Sequence, residues 1–163
     1  MSRITTTLWF ERDAEAAARF YVTLLPDSAV EQVTRAPFDT PGGPATGEIL
    51  TVIFRLAGQR FCGLNGGPRF RHSEAVSFML EAEDQAETDR LWAAITADGG
   101  EPSYCGWCKD RWGISWQITP KRLLELMADP DPLRARAAAD AMMGMGKIDI
   151  AALEAAVAAR PAA

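Results

Sequence analysis

The chain has 163 residues, 48% hydrophobic and 24% charged, with 13 Gly and 10 Pro. That composition excludes collagen, coiled coil and wholesale disorder and suits one well-formed core. Seventeen basic against 22 acidic residues give a formal charge of −5, with no basic cluster beyond Arg69, Arg71 and His72, so nucleic acid is not an expected partner.

Reading in chain order, Ile4-Thr5-Thr6-Thr7-Leu8-Trp9-Phe10 is β-branched and aromatic and predicts a strand. Asp13 then opens an amphipathic helix with Ala17, Phe20, Tyr21 and Leu24 on one face. Strands are expected at Ala29 to Ala36, Glu48 to Leu56 and Arg60 to Leu64, with Gly58 marking a hairpin between the last two. Residues 37–47 are rich in Pro and Gly and read as an exposed, mobile loop or equally as a lid. The stretch from Asn65-Gly66-Gly67-Pro68 to Ser73 is a connector, which would bring Asn65 and His72 near the mouth of any cleft.

The scheme then repeats. A strand at Ala75 to Leu80 leads to a helix opened by Asp84, followed by strands at Glu101 to Tyr104, Gly106 to Asp110 and Ile114 to Thr119, with Gly113 in a turn. Asp13, Arg19 and Asp27 recur as Asp84, Arg90 and Asp98, each 71 residues later, and the apolar faces of the two helices match. The expected fold is α+β, two βαβββ modules over about residues 3–65 and 75–119 within a domain spanning 1–120. Residues 121–163 are expected as a helical appendage: Lys121 to Ala128, a segment after Pro132, and Asp149 to Ala159 with Ile150, Leu153 and Val157 on one face. Met142, Met143 and Met145 read as core packing there.

No apolar run approaches the roughly 20 residues of a membrane span, and Met1-Ser2-Arg3-Ile4 lacks a secretory apolar segment, so a cytoplasmic protein without a membrane partner is expected. Cys62, Cys105 and Cys108 form no disulfide framework and suit a reducing compartment. Cys105-Gly106-Trp107-Cys108 has the spacing of a dithiol motif, but two strand positions three apart face opposite ways, so packed thiols are expected. Trp9 and Trp107 fall where strand alternation allows them to line a concave sheet, or to fill the core. Asp110 reads as the cap of the Gly113 turn rather than a general base. Glu48 and Glu81 are carboxylates without a placed partner, and Arg69, Arg71 and His72 read as a solvated loop.

The strings Asp13-Ala14-Glu15-Ala16-Ala17-Ala18-Arg19-Phe20-Tyr21, Leu64-Asn65-Gly66-Gly67-Pro68, Asp84-Gln85-Ala86-Glu87 and Cys105 through Gln117 resemble the PhnB-like branch of the vicinal oxygen chelate superfamily. The likeness extends over nearly the whole chain, including the tail from Lys147 to Leu153, and is most specific from Gly106 to Gln117. It implies that each βαβββ module curls a small sheet around a cleft and that modules pair within a chain or across a homodimer. Glyoxalases, extradiol dioxygenases, epimerases and bleomycin- or fosfomycin-resistance proteins share this fold, and metal-using members place His, Gln or Glu on the first and last strands of each module.

Those positions fall here on Thr7 or Trp9, Leu64 or Asn65, Ser77 or Phe78, and Gln117, of which only Gln117 is a plausible ligand and a weak one. The branch is also labelled 3-demethylubiquinone-9 3-methyltransferase-like, implying S-adenosylmethionine, but no Gly-x-Gly follows any strand. The resemblance therefore implies a small-molecule-binding cleft lined by Trp9, Asn65, Phe78, Trp107, Trp116 and Gln117, with Asn65 and Gln117 as polar anchors. No cofactor or tightly bound metal is expected, and an aromatic or antibiotic-like ligand would fit. The alternative is a divalent-metal-dependent lyase or isomerase of the glyoxalase type using His72, Gln117 and carboxylates such as Glu48. A third reading is an interaction module dimerising through its C-terminal helices.

Overall fold

A computed structural model describes residues 3–159. The elements run β1 (Thr6–Phe10), α1 (Ala14–Tyr21), β2 (Ala29–Arg35), β3 (Ile49–Leu56), β4 (Gln59–Asn65), β5 (Ser77–Ala82), α2 (Gln85–Thr96), β6 (Glu101–Pro102), β7 (Trp107–Lys109), β8 (Ser115–Pro120), α3 (Lys121–Met127), α4 (Pro132–Met143) and α5 (Ile150–Ala158). The chain divides into two compact units between His72 and Ser73, and α3–α5 go with the second.

Each unit holds one βαβββ module. The first sheet has strand order β1-β4-β3-β2 and the second β5-β8-β7-β6. In each, the strand before the helix lies parallel to the last strand, pairing Leu8 with Gly63 and Leu80 with Ile118. The repeat extends to backbone detail: Asp27 and Asp98, 71 residues apart, both hold φ of 50°. Asp tolerates this left-handed conformation better than most residues do.

In the first unit, α1 turns Ala14, Ala17, Ala18 and Tyr21 onto Leu8, Phe10, Val52, Phe54 and Phe61. The Phe54 and Phe61 rings stack at 5.3 Å. Ala57 and Gly58, both at positive φ, form the hairpin between β3 and β4, as in a type I′ turn. Residues 37–47 form a mostly exposed loop between β2 and β3, as expected, and it is internally hydrogen-bonded. Thr46 donates its N–H and hydroxyl to Asp39 Oδ1, both at 2.7 Å, Ala45 N donates to Glu48 Oε2 at 2.8 Å, and Gly47 N donates to Ala36 O at 2.9 Å.

In the second unit, α2 covers Leu80, Cys108, Trp116 and Ile118 with Thr88, Leu91 and Ile95. The expected strand from Glu101 to Tyr104 shortens to two residues because Tyr104–Trp107 turns instead, with Cys105 and Gly106 both at positive φ. The helices α3–α5 build a core of their own from Leu123, Leu126, Ala137, Ala138, Ile148, Leu153 and Val157. Met142 and Met145 pack against it, whereas Met143 is exposed. This tail is stitched to the module: Cys105 N donates to Met145 O, Gly106 N to Gly146 O, and the Gln85 amide bridges Ile148 O and Ile150 N.

Candidate functional site

Strand pairing and the period of two give each sheet a helix face and an open face. In the second unit, Ser77, Met79, Glu101, Trp107, Lys109, Ser115 and Gln117 share the open face, since Lys109 pairs with Ser115, Trp107 with Gln117, Ser77 with Ser115 and Glu101 with Lys109. A cavity of about 220 Å³ lies over β6, β7 and β8, lined by Glu74, Ser103, Trp107, Lys109, Ser115 and their neighbours. Trp107 and Lys109 are half-buried there, and Ser115 is 1% exposed. Lys109 is ion-paired with Glu74, whose carboxyl the ammonium holds below its ordinary range by hydrogen bonding and charge.

Of the residues expected in a cleft, Trp107 and Gln117 are brought together on this open face. Gln117 Nε2 donates to Ser77 Oγ at 2.8 Å. Phe78 and Trp116 lie on the helix face, their rings 5.4 Å apart, because they alternate with Ser77 and Gln117. Trp116 is 1% exposed and its indole N–H is held by Asp110 Oδ2 at 2.9 Å.

In the first unit, Trp9 lies on the open face and Asn65 on the helix face. Asn65 is buried, with Oδ1 accepting Ala14 N at 2.9 Å and Nδ2 donating to Ile49 O at 2.9 Å. It caps α1, whereas Asp13, the expected cap, makes no side-chain cap bond. Trp9 Nε1 donates to Gly67 O at 2.8 Å, and a Cβ on Gly66 would lie 2.2 Å from the indole. Asn65-Gly66-Gly67 is thus explained by a helix cap, a ring seat and a turn.

His72 Nε2 lies 2.7 Å from Trp9 O. A carbonyl only accepts, so this nitrogen carries the proton. Asp110 Oδ1 accepts Trp112 N at 2.9 Å and Ile114 N at 3.0 Å, which fulfils the turn-capping role. The C-x-x-C motif does not sit in strands as expected, since the left-handed turn removes Cys105 from the ladder. Cys105 lies beside Met143 Sδ at 3.6 Å, while Cys108 is buried and its thiol is pushed up to about 12 by burial and by the Asp110 carboxylate.

Over the cavity the open face offers a divalent cation an amide, hydroxyls and two carboxylates, Glu74 already paired with Lys109 and Glu101 opposite Lys109 in register. Among the described residues no group of three or more His, Cys, Asp or Glu side chains could hold a metal ion. Glu48 is spent on Ala45 N and lies 3.9 Å from Arg12. These residues do not fit a resident divalent cation. Nor do the junctions ahead of α1 and α2 suit a nucleoside cofactor: residues 11–13 and 83–84 contain no glycine, and the N-termini of α1 and α2 are capped by Asn65 and by Asp84.

Sequence reasoning missed Lys109, Glu74 and Ser115. The signal for Ser115 was present, since it stands two residues before Gln117 on the same strand face.

Two βαβββ modules of identical strand order define the class, an α+β protein of the vicinal oxygen chelate type. The profile of the 3-demethylubiquinone-9 3-methyltransferase family matches residues 2–119. The chain belongs to that family, in its PhnB-like branch. The matched region stops before α3, so the tail from Lys147 to Leu153 lies outside it.

Among solved structures, a PhnB protein from Bacillus cereus is 28% identical with TM-score 0.65, aligned over 73% of this chain and 99% of its own. Protein PA1353 from Pseudomonas aeruginosa is 20% identical with TM-score 0.58, over 74% of this chain and 98% of its own. A glyoxalase/bleomycin resistance protein from Albidiferax ferrireducens is 16% identical with TM-score 0.43, over 71% and 95%. No curated protein matches the chain.

Proposed function

We propose that the chain binds a small molecule on the open face of the β5-β8-β7-β6 sheet and does so without a tightly bound metal. The observation that carries this reading is the grouping of Trp107, Lys109 and Ser115 around one cavity, with Gln117 in register beside Trp107. An aromatic face supplies contact area, and a few polar groups fix orientation, the usual division of labour in ligand pockets. Gln117 uses its Nε2 on Ser77, which leaves the amide oriented and its oxygen as an anchor for a ligand donor. An aromatic or antibiotic-like ligand would use the half-buried Trp107 ring as its contact face. A cytoplasmic homodimer completes the proposal, checked by light scattering at twice the chain mass.

The test is elemental analysis of the purified protein with Mg²⁺, Mn²⁺, Zn²⁺ and Ni²⁺ titrated against thermal stability. The expected result is no stoichiometric metal and no cation-dependent rise in Tm. Near-stoichiometric metal that is lost in Gln117→Ala would overturn the metal-free reading and restore the lyase or isomerase alternative.

A further inference from the structure

Ser115 is 1% exposed, and its Oγ makes no hydrogen bond with any protein group. A buried hydroxyl without a partner costs stability, so such a group in a folded core needs a reason. Its cross-strand neighbour Ser77 has its own hydroxyl engaged by Gln117. Ser115 lines the cavity over β6, β7 and β8, beside the half-buried Trp107.

We propose that this cavity takes an uncharged, single-ring aromatic molecule bearing a carbonyl or hydroxyl group, with the ring against the Trp107 indole and the polar group hydrogen-bonded to Ser115 Oγ. The inference rests on the reading of this face as a ligand site and names the ligand class. Size sets the ring count: about 220 Å³ is below the range of about 300–1,000 Å³ that holds drug-sized ligands. Charge sets the rest. Lys109 is closed onto Glu74, and Glu101 stands opposite Lys109 in register. An anion must displace Glu74 and then meet Glu101, while a cation finds Glu74 already taken by Lys109 and only the exposed Glu101 at the rim, so it gives up its hydration without a counter-charge inside the cavity. An uncharged ring leaves the ion pair closed and supplies the partner that Ser115 lacks.

The test uses the full chain and three probes of one size: benzamide, benzoate and benzylammonium, titrated at neutral pH with the indole and amide resonances of Trp107 and Lys109 as readout. Benzamide is expected to shift both, with the two charged probes at least about fivefold weaker and benzoate recovering in Glu74→Gln. Ser115→Ala is expected to weaken benzamide about tenfold while raising the Tm of the ligand-free chain by about 2–4 °C, because an unpaired hydroxyl is removed. A purely structural serine would instead lose stability on that change, and a fall in Tm overturns the proposal.

Equal or tighter binding of either charged probe overturns the ligand class and leaves the face intact as a binding site. If none of the three moves Trp107 but a two-ring aromatic does, the class fails and the face again survives. If no aromatic moves Trp107, both readings fail.

Discussion

Asp110 shows how one buried carboxylate fixes a turn and a core ring together. Its oxygens hold the amides of Trp112 and Ile114 and the indole of Trp116. Asp110→Ala would orphan all these donors and is expected to cost about 3–5 kcal/mol, lowering Tm by about 10 °C in thermal unfolding. The cysteines divide by burial. With the Cys108 thiol pushed up to about 12, and the Cys62 thiol also raised by burial, Cys105 is expected to be the first thiol modified by an aromatic disulfide at pH 8, a reaction lost in Cys105→Ser.

Asp39 gives a pH dependence of known sign. The Thr46 amide and then its hydroxyl hold the Asp39 carboxyl below its ordinary 3.8. A depressed carboxyl contributes order above the unfolded value and loses it as pH falls through the folded one. Protection of the Thr46 amide from hydrogen exchange is therefore expected to be level at neutral pH and to fall below about pH 3.8.

At the scale of elements, the two helices look alike in sequence and are capped differently. Asp84 accepts Glu87 N at 2.8 Å and Glu87 reaches back to Glu83 N at 2.9 Å, a reciprocal cap readable from the spacing. Asp13 has Ala16 where Asp84 has Glu87, so it lacks the reciprocal partner, and Asn65, 51 residues beyond Ala14, takes the job. Asn65→Ala is expected to cost about 2–3 kcal/mol and Asp13→Ala within about 0.5 kcal/mol, compared by urea unfolding.

The duplicated βαβββ order was legible because periodicity and the 71-residue offset are local properties of the chain. The faces were only half legible. Alternation already separates Trp116 from Gln117 and Phe78 from Ser77, yet which side a helix covers depends on the crossover that returns β8 beside β5. The Lys109–Glu74 pair was hidden because it joins β7 to the segment just before β5, 35 positions apart in sequence. The order within residues 37–47 was hidden too, since Pro/Gly content does not reveal the Asp39–Thr46 clasp.

At the scale of the molecule, the tail is a helical addition beyond the family's matched residues, bound to the second module by backbone bonds at Cys105 and Gly106 and by Gln85. None of its described residues lines the cavity on the open face of the β5-β8-β7-β6 sheet, the face proposed to bind the ligand. The most direct test is an NMR map of the full chain against a panel of small aromatic molecules, without added metal. The largest shifts are expected at Trp107, Lys109, Ser115 and Gln117, with the Trp116 indole on the helix face little moved. Binding that leaves these four residues unmoved, or that appears only when a divalent cation is added, would contradict a metal-free site on this face.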